Sequence, residues 1–275
     1  MYGTIIGDIL GSSFERHPTK DPDFELFRKG SRFTDDTVMS VAVGETILKP
    51  LGIMDTSDIE YEFVSHMQKW GRKYPNAGYG KKFSEWIRSE DPQPYNSYGN
   101  GSAMRVAAIG WKYKTDTFLL DTFAHFSAII SHDHKEGIKG ALAVASAVGF
   151  AAAGKSKEQI KNYIVGQFGY DLDRTWEEIR KDYTFDVSCQ GSVPEAIIAF
   201  LDGNDFEECI RLAVALGGDA DTQAAIAGSI AEAYFGIPQW MINKANDYIP
   251  GEMKAVMNKV YKAFVWHRSN IQPND

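Results

Sequence analysis

The feature that most constrains this chain is the spacing of its apolar residues. They recur at intervals of three and four along most of its length, the period of a helix, while clear alternating strand patterns are missing. Between Asp55 and Lys73, the residues Ile59, Phe63, Met67 and Trp70 share one helical face, and Ser57 with Glu60 reads as a capping box. The same period predicts helices over Thr117 to Ile130, Glu136 to Ala153, Lys157 to Phe168, Val193 to Leu201, Phe206 to Ala215, Thr222 to Phe235 and Glu252 to Trp266. Ser156 with Gln159 and Asp205 with Glu208 are expected to cap helix starts, and Gly154, Gly203 and Gly236 to end helices. No Pro/Ser/Gly-rich linker or low-complexity tract divides the sequence, so residues 1–275 are expected to form one all-α domain, a bundle of many helices. In the helix from Thr222, the small residues Ala224, Ala227, Gly228 and Ala231 fall on one stripe that a second helix can approach closely, which predicts a central position. The segments Ser12–Phe33 and Tyr74–Asn100 are too long for simple connections and are expected to be site loops.

Charge narrows the partners. With 29 Lys and Arg against 37 Asp and Glu, the net charge of -8 argues against nonspecific nucleic-acid binding and against anionic membranes. Cys189 and Cys209 are too few for a disulfide framework, which points to a reducing, cytoplasmic setting. The segment Met1 to Leu10 carries Asp8 and no basic leader, and no uncharged apolar run reaches membrane-spanning length. Trp70, Trp86, Trp176 and Trp266 are expected to pack in the core or at a rim.

Part of the acid surplus is concentrated. Thr34-Asp35-Asp36-Thr37 stands just before the helical run Val38, Met39, Val41 and Ala42, and Gly217-Gly218-Asp219-Ala220-Asp221-Thr222 repeats the arrangement after a glycine pair. Ordinary capping accounts for one acid at each helix start, since Asp and Thr accept from unpaired N–H groups there. The second acid at each start is left over. Together the stretches offer four carboxylates and several hydroxyls, the hard oxygen donors of Mg²⁺, Mn²⁺ or Ca²⁺, without the Cys and His of structural zinc. Should the two starts converge, four charges so close cannot all stay ionised without cations, and two divalent ions would neutralise them. Glu15, at the end of Gly7-Asp8-Ile9-Leu10-Gly11-Ser12-Ser13-Phe14-Glu15, adds a further acid, readable alone as a surface residue.

Four segments carry a resemblance: the Gly-Asp-x-x-Gly-x-x-x-Glu start, Phe-Thr-Asp-Asp-Thr-x-Met, Tyr-Gly-Asn-Gly-x-Ala-Met-Arg and Gly-Gly-Asp-Ala-Asp-Thr. In this order, from Gly3 to Gly236, they resemble the ADP-ribosylglycohydrolase family, that of the dinitrogen reductase-activating glycohydrolase. The resemblance implies an all-α fold with a binuclear Mg²⁺ or Mn²⁺ centre at the bottom of an ADP-ribose cleft. It makes Thr34, Asp35, Asp36, Asp219, Asp221 and Thr222 the expected metal ligands, with Glu15, Asp36 and Asp219 as candidate catalytic acids. It implies cleavage at C1″ of ADP-ribose, releasing it from an ADP-ribosylated protein or small-molecule conjugate; nucleic acid enters only as such a conjugate. Ser97, Tyr98, Gly99, Asn100, Gly101 and Ser102 are expected to line the cleft, Tyr98 by stacking on adenine, while His132 matches a ribose-contacting position. Glycines there let N–H groups approach a diphosphate, and a helix beginning near Ser102 would point its positive end at the same anion.

Three function classes remain open on the residues: a metal-dependent ADP-ribosyl hydrolase, a non-hydrolytic ADP-ribose-binding or crystallin-like relative, and a binuclear-metal phosphohydrolase. Arg105 reads either as a phosphate clamp or as the ion-pair partner of an Asp, and His134 has no assigned role. The segments Gly78–Asp91 and Gly169–Asp186 are candidates for the rim that reads the acceptor.

Overall fold

The computed structural model describes residues 1–50 and 55–265. Among them are fourteen α-helices and no β-strand beyond one isolated bridge, so the all-α expectation holds. In chain order they are α1 (Tyr2–Gly11), α2 (Asp35–Ile47), α3 (Thr56–Lys73), α4 (Lys81–Arg88), α5 (Ala107–Lys112), α6 (Thr117–Ile129) and α7 (Lys135–Ala152). There follow α8 (Lys157–Phe168), α9 (Trp176–Ile179), α10 (Cys189–Asp202), α11 (Phe206–Ala215), α12 (Ala220–Phe235), α13 (Gln239–Ala245) and α14 (Gly251–Val260). No described helix is long and apolar enough to cross a membrane.

Helix starts written in local sequence appear where expected. Ser156 and Gln159 form the reciprocal box that opens α8, and the Asp205 carboxylate accepts from the Glu208 amide at α11. The box expected from Ser57 and Glu60 does not form: Asp55, in extended conformation, takes the cap position, which leaves Ser57 inside the first turn. The α10 helix starts four residues before Val193, because Ser188 accepts from the Gly191 amide. Pro194 therefore lies inside it and forgoes one amide hydrogen bond. Near Ser102 there is only a single 3-10 turn, Asn100–Ser102, and the next helix starts at Ala107, so no long dipole stands behind the glycine-rich segment. The last predicted helix ends at Val260 and passes into a π-turn over Tyr261–Val265; Trp266 lies outside the described residues. Trp70, Trp86 and Trp176 are buried.

Two helices set the centre. Both α1 and α12 are buried along almost their whole lengths, and they pack backbone to backbone. Gly3, Gly7 and Gly11 face Gly228, Ala224 and Ala220; a Cβ on Gly7 would lie 2.1 Å from the Ala224 carbonyl oxygen, and one on Gly3 2.1 Å from that of Gly228. The small-residue stripe of α12 thus meets a glycine stripe of α1, which brings the C-terminal half of α1 beside the N-terminus of α12. The α2 helix packs on α1 with its own N-terminus turned to the same place, and two acid-bearing helix starts converge there.

Candidate metal and ligand site

At this convergence, carboxylate oxygens of Asp8, Asp36 and Asp221 all lie within 4.8 Å of one another. Asp8 comes from the apolar helix α1 and is fully buried. It accepts from the amides of Thr34 (2.8 Å) and Thr37 (3.0 Å), from Thr34 Oγ1 (2.7 Å) and from the Thr37 hydroxyl. Neither α2 nor α12 has a side-chain cap of its own. Asp8 supplies the cap of α2 from 26 residues upstream, which is why sequence reading, confined to neighbours, did not select it. The available signal was an acid within an otherwise apolar, buried helix.

Asp36 Oδ2 accepts from the hydroxyls of Thr34 and Thr222, each at 3.2 Å, which joins the two helix starts. Its Oδ1 is buried without a hydrogen-bond partner. Asp219 caps α12 by position and its Oδ2 accepts from Asn100 Nδ2 at 2.7 Å, tying the acids to the glycine-rich segment. Burial, reinforced by the neighbouring acids, raises Asp36 and Asp221 well above the usual carboxylate range. For Asp35 burial and the Asp8 charge give about 8, while for Asp8 burial outweighs its four hydrogen bonds and gives about 6. Oxygen-only donors, mutual repulsion and an orphaned Asp36 Oδ1 fit a hard divalent cation.

These shifts predict a pH-dependent cation effect. The unfolded carboxyls titrate near about 4, so the cation-free fold holds protons that the unfolded chain releases, and this contribution to stability is lost as pH rises through about 6 and about 8. A cation replaces those protons. The rise in melting temperature on adding Mg²⁺ or Mn²⁺ is therefore expected to be larger at pH 8 than at pH 5 by scanning fluorimetry; equal shifts would separate cation binding from these acids.

Above the acids lies a cavity of about 430 Å³. Thr34, Asp35, Asp36, Asp219, Asp221 and Thr222 line it together with Glu15, which is half-buried. A second wall, joined to the acids through Asn100 and Asp219, holds Ser97, Gly99, Asn100, Gly101 and His132. Antiparallel pairing fixes that wall: the Asn100 amide donates to Val187 O and the Cys189 amide to Tyr98 O, both at 2.8 Å. Two residues of the expected set are not in the lining. Tyr98 is 51% exposed and lies edge-on to His134, and Ser102 is fully buried, donating to Gly137 O at 2.7 Å. His134 caps α7 by accepting from the Glu136 amide.

Both long segments reach the cavity, the first through Glu15 and Arg32, the second through Gly78, Gly80 to Phe83, Tyr95, Ser97 and Gly99, although α4 makes part of the second a helix. Phe185, within the candidate rim segment Gly169–Asp186, and Val187, just beyond it, form an exposed apolar edge of the opening. Arg105 is fully buried and has no acidic partner among the described residues; its Nη2 donates to Ser127 O and to Ser131 Oγ. The ion pair with an Asp is thus absent there. At the start of α12, Gly217 has φ +70, and a Cβ on Gly218 would lie 2.4 Å from the Tyr183 ring, so this turn requires its glycines.

The profile of the ADP-ribosylglycohydrolase family matches residues 1–269. The chain belongs to the ADP-ribosylglycohydrolase family. As a member it is a hydrolase of the glycosidase class. It is similar to ADP-ribosylhydrolase ARH3 of Gallus gallus, with 28% identity over 87% of this chain and 85% of that one. It is also similar to ADP-ribosylarginine hydrolase Tri1 of Pseudomonas putida (strain GB-1), with 24% identity over 88% of this chain and 72% of the relative. Among solved structures, an ADP-ribosylglycohydrolase-related protein complex superposes with a TM-score of 0.69 at 25% identity, covering 95% of each chain. In this family member residues from each of the four segments quoted for the resemblance meet at one cavity, with Asp8 of the first motif beneath it.

Proposed function

We propose that this chain is a divalent-cation-dependent ADP-ribosyl hydrolase that cleaves the bond at C1″ of ADP-ribose and frees it from a modified side chain or small-molecule acceptor. The observation that carries the reading is the buried Asp8, Asp36 and Asp221 group beneath a cavity that Gly99, Asn100, Gly101 and His132 also line. Asp35, Asp36, Asp219 and Asp221 with Thr34 and Thr222 would hold two ions, Mg²⁺ or Mn²⁺, and Asp8 orients Thr34 and Thr37 beneath them. Such ions supply charge neutralisation at the acids and polarisation of a bound hydroxyl or water.

The chain's own groups account for the rest. Glycosidic cleavage separates charge between ribose and leaving group, so it needs a fixed sugar and a placed acid. Glu15 lies on the cavity wall next to the acid floor and is the proposed proton-transfer group, with Asp36 and Asp219 ordering the reacting side of the sugar. The Gly101 amide suits the diphosphate, and His132 a ribose oxygen. Tyr98 stays a rim residue that adenine can meet. The acceptor then leaves past Phe185, Val187 and the cations Arg32, Lys81 and Lys82.

The test is a hydrolysis panel of ADP-ribosyl-arginine, -serine and -nucleobase conjugates with Mg²⁺, Mn²⁺ or chelator. Release of free ADP-ribose that stops with chelator is the expected result. Tight ADP-ribose binding without turnover on any conjugate, or release of inorganic phosphate instead, would overturn the reading.

A further inference from the structure

His132 lines the same cavity as the acids, and its Nδ1 side is held by Ser131. Ser131 Oγ lies 2.8 Å from His132 Nδ1 and 3.1 Å from Arg105 Nη2. A guanidinium carries donors only, so Ser131 Oγ accepts from Arg105. Ser131 is fully buried, and among the described residues His132 Nδ1 is the acceptor within reach of its hydroxyl hydrogen. A proton on Nδ1 would leave that hydrogen buried without a partner, a penalty that favours the other tautomer about tenfold or more. The other ring nitrogen, Nε2, turns to the glycine-rich segment: a Cβ would lie 3.3 Å from it at Gly101 and 3.7 Å at Gly99.

We propose that Arg105 and Ser131 are positioning residues that hold His132 as the neutral tautomer protonated on Nε2, so that the ring offers the cavity one fixed hydrogen-bond donor. Arg105 is suited to the task. Its charge is fully buried, its Nε and Nη1 have no hydrogen-bond partner in the protein, and its guanidinium stands 5.7 Å from the centre of the Phe83 ring, itself 6.1 Å from the His132 ring. Burial opposes a second proton on the imidazole, and the fixed Arg105 cation acts in the same direction, so the pKa of the ring stays well below its usual value. The remaining ring neighbour is Tyr95, at 5.8 Å, whose phenol burial keeps uncharged. His132 then serves as a donor to a ligand oxygen and takes no part in proton transfer. The nature of that oxygen, on ADP-ribose, rests on the hydrolase reading; the tautomer does not.

The test reads the tautomer in the free, full-length protein by two-bond 1H–15N correlation with 15N-labelled histidine, His132 being assigned by loss of its signals in His132→Gln. The expected pattern is an unprotonated Nδ1 and a protonated Nε2. In Ser131→Ala the His132 Nδ1 signal is expected to move towards the average of the two tautomers, and Ser131→Thr to restore it. ADP-ribose affinity should fall about three- to tenfold in Ser131→Ala and return in Ser131→Thr, where a merely structural residue would leave the nitrogen signals unmoved. A protonated Nδ1 in the unmodified chain, an imidazolium, or nitrogen shifts unaltered by Ser131→Ala would overturn the proposal. The expected tautomer in a chain that binds no ADP-ribose would uphold the relay and count against the hydrolase reading instead.

Discussion

Asp36→Asn is expected to lower cation-dependent turnover by at least about a hundredfold while raising the melting temperature of the cation-free protein by a few degrees. The opposite signs come from one cause. Asp36 is buried among Asp8, Asp35, Asp219 and Asp221, and its Oδ1 has no partner, so without a cation it must either stay protonated or repel its neighbours. An amide of the same shape needs no proton and carries no charge, which relieves the fold. It also removes a donor for which a divalent cation binds there. Metal content by atomic emission, fluorimetric melting and ADP-ribose release measured on one preparation decide the matter. A variant that keeps full metal content and full turnover would remove Asp36 from the site, and a variant that melts lower without cation would mean that the acid cluster is not under electrostatic tension.

Gly7→Ala is expected to destabilise the protein by about 3 kcal/mol or more, a fall in melting temperature on the order of 6–12 °C. A single methyl rarely costs so much, but here it would meet backbone. The added Cβ would lie 2.1 Å from Ala224 O and 2.3 Å from Ala224 C, and neither atom can rotate away. Gly166→Ala provides the contrast. Gly166 lies within α8 with nothing near its would-be Cβ, so the same substitution should stabilise by about 0.4–1 kcal/mol through the loss of unfolded-chain freedom. Equal effects at the two positions would mean that α1 and α12 tolerate separation. Because Asp8 follows Gly7, forcing the helices apart should also weaken the cation-induced stabilisation, which the same melting series reports.

How much was legible depended on the range over which each interaction acts. The starts of α8 and α11 were readable because Ser156 with Gln159 and Asp205 with Glu208 settle them within one turn. The start of α3 is ambiguous in sequence for a related reason: Asp55 and Ser57 are both good cap residues, and the extended backbone at Asp55, where the chain enters the helix, chooses between them. The four acids at the two helix starts stood out as chemistry in excess of capping, and they do line one cavity. Asp8 did not stand out, since its partners Thr34 and Thr37 belong to another helix. Tyr98 and Ser102 show the converse limit. They sit in the same glycine-rich run as Gly99 and Gly101, yet pairing with Val187 to Cys189 turns one outward and buries the other.

By itself the sequence determined the helical class, most ends of the helices that its periodicity marks and the oxygen-donor character of the acid-rich starts, because periodicity, capping and ligand chemistry are properties of neighbours along the chain. Only the tertiary structure decided that these starts meet, that Asp8 lies beneath them, and that Arg105 pairs with Ser131 in place of an Asp. The physical reason is the closeness of α1 and α12: three glycines without side chains let two backbones touch, and that contact sets where charges distant in sequence must share one buried space.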